Sequence, residues 1–327
     1  MRILIVGLGS IGKRHLHNLR NLVPDAKIVV WHQRSHNPEV PDGADIVVLT
    51  EQDAIANHPD AAIICNPAPF HVPTAQRLAE AGIHLLVEKP LSNTLGGIDE
   101  LIATCEDNSL VMMVAYPLRF NSALELMINA LSEGEIGRVV HTQAVVGQYL
   151  PNWQPAQDYR QSVSARAELG GGALLELSHE LDYVRSIMGD PIAVSARVGQ
   201  VSDLDIDVED TADITLEFAD GATANVHVDM IRQPPTRTCT VMGTSGTVEW
   251  DGITGTTRIW RSEDRKWRTL WSQSEDRNEM YVRELAHFLA CVGGHATPRV
   301  TGADGKRVLD IVLAAKSSSK QRTEISL

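Results

Sequence analysis

Arg2 to Val6, four of whose five residues are aliphatic, runs directly into Gly7-Leu8-Gly9-Ser10-Ile11-Gly12. A short apolar run ending in G-x-G-x-x-G reads as a buried parallel strand that turns into a helix. No other stretch constrains the fold so tightly. Its chemistry asks for glycine three times. Gly7 permits the tight turn, Gly9 lets the backbone approach a pyrophosphate, and Gly12 lets helix and strand pack closely. The helix that follows, from about Ile11 to Leu22, aims its unpaired N–H groups and positive dipole end at the phosphates. Gly7, Gly9, Ser10, Ile11 and Gly12 are therefore the first expected cofactor contacts.

Lys27–Trp31 reads as the second strand, completing a βαβ unit. An acid after this strand holds the ribose 2′-OH of NAD, whereas an arginine accommodates the 2′-phosphate of NADP. The chain reads His32-Gln33-Arg34-Ser35, with no acid until Glu39. Arg34 and Ser35 are thus expected at the ribose, and NADP is favoured. Strand-like runs recur at 45–49, 61–65, 84–87 and 110–115, with helical patterns between them, most clearly at 73–81 and 95–105. Such alternation means a parallel, doubly wound sheet, whose ligands sit at the carboxyl ends of its strands. The residues just past those ends are Asn66-Pro67 with His71, then Glu88-Lys89-Pro90, then Tyr116 with Arg119. Pro90 stops the backbone continuing as strand, and a cis bond before it would turn Lys89 into the crevice.

At 327 residues the chain has room for two domains. Its formal net charge of −13 argues against nucleic acid or an anionic membrane as the main partner. No apolar stretch approaches the length of a membrane span. The short apolar run at the amino end leads into the glycine motif and does not read as a signal peptide. Cys65, Cys105, Cys239 and Cys291 are scattered, and no His/Cys/acid set has zinc spacing. No metal is expected, and the thiols suit a reducing cytoplasm.

Beyond a helical pattern at 118–131, the sequence turns β-rich. Strand-like runs lie at 138–149, 193–201, 210–218, 222–230, 238–242, 247–250, 257–260 and 267–271. Ile214, Leu216 and Phe218 alternate with polar residues, the pattern of a half-buried antiparallel strand. Amphipathic helices are expected at 279–291 and 305–317, with a strand-like tail at 323–327. Residues 150–169 form a loop carrying Trp153, Tyr159, Arg160 and Arg166. Aromatic faces and arginine forks suit a polyhydroxylated ligand, including an anionic one. Gly170-Gly171-Gly172 then precedes a predicted helix at 173–188 that carries Glu176, His179 and Asp182 at three-residue steps on one face.

GLGSIG at the amino end, Asn66-Pro67 with His71, AGIHLLVEKP and ELGGGALLELSHELDY occur in this order along nearly the whole chain. Together they resemble the Gfo/Idh/MocA family of nicotinamide-dependent oxidoreductases, which act mostly on sugars and cyclitols. The resemblance implies an α/β Rossmann domain with a doubly wound parallel sheet over 1–120. An α+β domain with a large, mostly antiparallel sheet follows over 121–327. It also implies a cytoplasmic homodimer or homotetramer assembled through the carboxy-terminal sheet. The expected chemistry moves a hydride from a carbinol carbon to the nicotinamide of NAD(P). His179 takes the hydroxyl proton, Lys89 stabilises the charge developing on that oxygen, and Glu176 or Asp182 orients the imidazole or grips a neighbouring hydroxyl. The family commonly has D-x-G-x-H; here Glu176 lies three residues before His179, and Ser178 stands where glycine is expected. H-x-x-D is intact. Two other functions fit the resemblance: an NAD-dependent glycosidase that uses transient oxidation, and a non-catalytic sensor. The sensor is disfavoured because both Lys89 and His179 are present.

Overall fold

The computed structural model describes residues 1–32 and 39–327. They divide into two compact units, Met1–Pro117 with Asn278–Lys306, and Leu118–Arg277 with Arg307–Leu327.

The first unit holds β1 (Arg2–Val6), β2 (Lys27–Trp31), β3 (Ile46–Val48), β4 (Ala61–Ile64), β5 (His84–Glu88) and β6 (Met112–Ala115). They form one parallel sheet in the order β3-β2-β1-β4-β5-β6. The order reverses between β1 and β4, where ligands of such sheets bind. All four residues of β4 are fully buried, as are Ile3 to Val6 of β1. This is why these runs are apolar without alternation: helices cover both faces. Those helices are α1 (Ser10–Leu22), α2 (Glu51–Ala56), α3 (His71–Glu80) and α4 (Ile98–Asp107). The Thr50 side chain caps α2 by accepting the Asp53 amide hydrogen at 3.1 Å.

A 3₁₀ turn, Pro117–Phe120, leads into the second unit and α5 (Ser122–Ser132), so the pattern at 118–131 is two elements. The Asn121 carboxamide accepts the Leu124 amide hydrogen at 3.0 Å and starts the helix. The predicted helix at 173–188 is likewise broken, into α6 (Ala173–Glu176) and α7 (His179–Met188). The Ser178 hydroxyl donates to the Leu175 carbonyl at 3.0 Å and competes with the helical ladder at the break. Glu176 and His179 therefore do not share one continuous helical face.

The sheet comprises β7 (Val139–Gly147), β8 (Ala193–Gly199), β9 (Thr211–Glu217), β10 (Thr223–Asp229), β11 (Thr236–Gly243), β12 (Gly246–Asp251), β13 (Thr256–Arg261), β14 (Trp267–Ser272) and β15 (Ile325–Ser326). Its order is β14-β13-β12-β11-β7-β10-β9-β8-β15, antiparallel except where β10 runs beside β7. One face is apolar and takes α6 and α7. There Tyr183 meets Trp250 edge-on with centroids 5.8 Å apart.

On the other face His227 links Asp213 (2.7 Å) to the buried Asp229 (3.0 Å). The Asp229 hydrogen bond, then Asp213, hold the imidazole above its ordinary range against the opposing effect of burial. A histidine raised on folding stabilises fully below its unfolded value of about 6.5, and that contribution is lost as pH rises through the folded value. Replacing His227 with Gln should therefore lower the denaturant midpoint near pH 6, and the deficit should close toward pH ~9. A deficit that does not vary with pH would mean that the charge on His227 contributes nothing.

The remaining helices are α8 (Glu279–Val292) and α9 (Gly302–Gln321). The expected split at 1–120 and 121–327 differs from the observed units at Asn278–Lys306, which belongs with the first sheet. The cause lies on α1. Arg14 stacks 4.3 Å over the Tyr281 ring, and the Asn18 and Asn278 amides exchange hydrogen bonds at 2.8 and 3.2 Å. No helix among the described residues is long and apolar enough to cross a membrane.

Candidate active site

In the first unit the three glycines behave as their spacing requires. Gly7 has φ +89°, which only glycine adopts without strain. A Cβ on Gly12 would stand 2.1 Å from the Gly7 carbonyl oxygen, so helix and turn touch backbone to backbone. A Cβ on Gly9 would meet nothing within 4 Å. Gly9 is exposed, heads α1 without a side-chain cap, and no acid occupies the first turn of the helix. That open backbone fits a pyrophosphate, with Gly9, Ser10 and Ile11 as the residues to hold it. Arg34 and Ser35, expected at the ribose, lie outside the described residues.

The ends of β4 and β5 are tied together underneath. Asn66 is buried and donates to the Thr74 hydroxyl at 3.1 Å. The ring nitrogens of His71 lie 2.6 Å from the Asn66 carbonyl oxygen and 2.9 Å from that of Pro90. Burial pushes the His71 pKa down, against the pull of the two carbonyls. His71, expected to touch cofactor, thus sits in the core as a brace between Asn66 and Pro90, while Pro67 is half-exposed. Glu88 is also buried and pairs with His15 of α1 at 2.7 Å. Sequence reading missed His15, although a polar residue on the apolar Gly12-His15-Leu16-Leu19 stripe of α1 signals a buried partner. Burial, and then Glu88, push the Cys65 thiol up, so it is no nucleophile.

The Lys89–Pro90 bond is cis. Across 85–92, Lys89 alone is not buried; every neighbour is. Tyr116, expected at substrate, is buried to 1% and belongs to the core of this unit.

In the second unit the same signature recurs. Between 170 and 184, Glu176 and His179 are the two half-exposed positions in an otherwise buried run. Two arginines fix the first turn of α7 around the histidine. Arg237 of β11 donates to the fully buried Glu180 at 2.9 Å. Arg119 donates to Asp182 at 2.8 Å, and Asp182 is also buried. Arg119 and Asp182, expected separately as substrate contact and catalytic residue, thus form one ion pair in the first turn of the helix that His179 begins. Residue type alone gave no sign of that pairing, nor of the one between Glu180 and Arg237.

The triple glycine is a packing requirement. A Cβ on Gly171 would lie 2.4 Å from the Val163 carbonyl oxygen, and one on Gly172 would lie 2.5 Å from the Glu209 carboxylate. The loop at 150–169 therefore seats directly against the start of α6. Trp153, Tyr159, Arg160 and Arg166, the side chains expected at substrate, each make a hydrogen bond within the unit. Trp153 donates to the Gln148 carbonyl at 3.0 Å, and the Tyr159 hydroxyl accepts the Asp205 amide hydrogen at 3.2 Å. Arg160 grips both carboxylate oxygens of Asp158, and Arg166 donates to the Arg160 carbonyl at 2.8 Å. The Arg160 guanidinium holds the Asp158 carboxyl below its usual range. Among the described residues no group of three or more His, Cys, Asp or Glu could hold a metal ion.

Residues 1–116 match the model described as "Oxidoreductase family, NAD-binding Rossmann fold", and residues 125–249 match the "GFO/IDH/MocA C-terminal domain". Myo-inositol 2-dehydrogenase of Thermotoga maritima is 26% identical over 100% of this chain and 98% of its own. The scyllo-inositol 2-dehydrogenase (NAD(+)) of Bacillus subtilis is 26% identical over 100% of this chain and 96% of its own. Among solved structures, levoglucosan dehydrogenase in complex with NADH superposes with a TM-score of 0.89 at 22% identity, covering 100% of this chain and 98% of the other.

Proposed function

Because the chain belongs to the Gfo/Idh/MocA oxidoreductases, with an amino-terminal NAD-binding Rossmann fold, we propose that it is an NAD(P)-dependent dehydrogenase acting on a CH–OH group of a sugar, sugar derivative or cyclitol. The observation that carries this reading is the half-exposed pair of Glu176 and His179 in an otherwise buried stretch. A nicotinamide, when bound, supplies the hydride acceptor. The protein must supply position and proton management.

His179 is the base. An imidazole has an intrinsic pKa near neutrality, so it can take a hydroxyl proton at physiological pH. Arg237 and Arg119 hold the helix turn that carries it, through Glu180 and Asp182. Asp182 therefore acts by position, and Glu176 is left as the acid that grips a substrate hydroxyl or orients the imidazole. Lys89 donates to the carbinol oxygen and stabilises the charge that grows there as the proton leaves. The reaction asks that ammonium and imidazole reach the same oxygen.

The relatives that act on inositols and levoglucosan support a polyol substrate. A panel of sugars and cyclitols, followed by nicotinamide absorbance with each cofactor, tests the proposal. Absence of turnover across the panel from protein that binds dinucleotide would refute it.

The absence of an acid after β2 favours NADP, with Arg34 and Ser35 at the 2′-phosphate. Arg34→Asp should then shift the ratio of kcat/KM values toward NAD by at least ~10-fold. An unchanged ratio would mean that Arg34 does not touch the 2′-phosphate. A homodimer or homotetramer through the polar face of the second sheet completes the proposal. Size measurement in solution tests it, and a monomer would exclude it.

A further inference from the structure

A loop rich in arginine that packs against Gly171, five residues before Glu176, ordinarily reads as an anion clamp. Here Arg160 is closed on a carboxylate, and Arg166 is bound to a backbone carbonyl. Arg160 holds Asp158 through two nitrogens at 2.9 Å and lies 4.0 Å from Asp205, so the cluster has two carboxylates for one guanidinium. Arg166 points its Nε into the Arg160 carbonyl. Over 150–169 the two cations are balanced by Asp158 and Glu168.

The segment laced to this loop is strongly acidic. Residues 202–210 contain Asp203, Asp205 and Asp207, all exposed, besides the buried Asp210 and the half-buried Glu209, and no cation. Asp207 accepts the Ala167 amide hydrogen at 2.7 Å, and the Asp205 amide donates to Tyr159, so the two segments form one surface. Other cations near the histidine helix are also matched: Arg119 with Asp182, Arg237 with Glu180, and Lys316 with Glu209 at 3.2 Å.

Resting on the dehydrogenase reading above, we infer that the substrate is an uncharged sugar or cyclitol, and that the loop repels phosphorylated, uronic and nucleotide-linked congeners. A phosphate or carboxylate needs an arginine fork that is not already closed on a carboxylate. Here it meets a surface with surplus negative charge, and like charges set together oppose binding. Neutral hydroxyls lose nothing by that field, because carboxylates and carbonyls accept their hydrogens.

The test measures kcat/KM of the intact protein for a matched series: a neutral sugar or cyclitol that turns over, its phosphate ester and its uronic acid. The neutral member should exceed both anions by at least ~100-fold at low salt. The gap should narrow toward ~0.5 M salt, because exposed charges are screened whereas steric exclusion is not. In Asp158→Asn, which opens Arg160, the phosphate ester should gain at least ~10-fold relative to the neutral substrate. An anionic congener preferred by the wild type overturns the inference and leaves the dehydrogenase reading standing. A gap insensitive to both salt and Asp158→Asn overturns the electrostatic cause. No turnover of any member, with dinucleotide still bound, removes the dehydrogenase reading and this inference with it.

Discussion

Replacing His179 by alanine, or Lys89 by alanine, is expected to lower kcat by about two orders of magnitude or more, with dinucleotide binding retained. The two residues do different work. Without the imidazole, the hydroxyl proton has no acceptor of matched pKa, and general base catalysis contributes about 10²–10⁴. Without the ammonium, the growing negative charge on the carbinol oxygen loses a positioned donor, a loss comparable to removing one oxyanion-hole group. Both side chains are half-exposed in buried surroundings, so truncation removes little packing and the fold should survive. Two further readouts separate chemistry from structure. Thermal midpoints should stay close to wild type, and the acidic limb of the kcat/KM profile should disappear in His179→Ala. Near-normal turnover from both variants would remove the mechanism.

Gly12→Ala should abolish tight dinucleotide binding and lower stability, whereas Gly9→Ala should weaken binding alone. The difference is where each new Cβ would lie. At Gly12 it would stand 2.1 Å from the Gly7 carbonyl oxygen, so α1 must move away from the turn. Backbone cannot yield as a flexible side chain does, and overpacking of this kind costs about 1–3 kcal/mol. Displacing α1 also disturbs His15, whose ring pairs with Glu88 at the next strand end. At Gly9 the protein offers no obstacle within 4 Å, so the apo protein should melt as wild type does. The methyl would occupy the space proposed for the pyrophosphate, and the dinucleotide Kd should rise at least ~10-fold. Titration by fluorescence and thermal melts of both variants decide the point. Equal dinucleotide affinity in Gly9→Ala and wild type would place the pyrophosphate elsewhere.

Much of this architecture is legible in the chain because its signals are local. Three glycines at fixed spacing, apolar runs without alternation and a later strand that alternates each report the environment of their own backbone. They were enough for a parallel sheet first and a mostly antiparallel one after it. Charge amid apolar sequence draws attention to Lys89, Glu176 and His179, but equally to Glu88 and Asp182, which the fold buries.

What sequence could not give is pairing between distant residues. Residue type points Arg119 toward substrate and Asp182 toward the imidazole or a substrate hydroxyl, and the fold pairs the two with one another. His71 was read as touching cofactor, and two carbonyls hold it in the core. Local sequence determined which elements form and which faces they bury, since backbone propensity and apolar period act over a few residues. The tertiary structure alone decided which charges meet, since a buried charge takes whichever opposite partner the fold brings within about 4 Å.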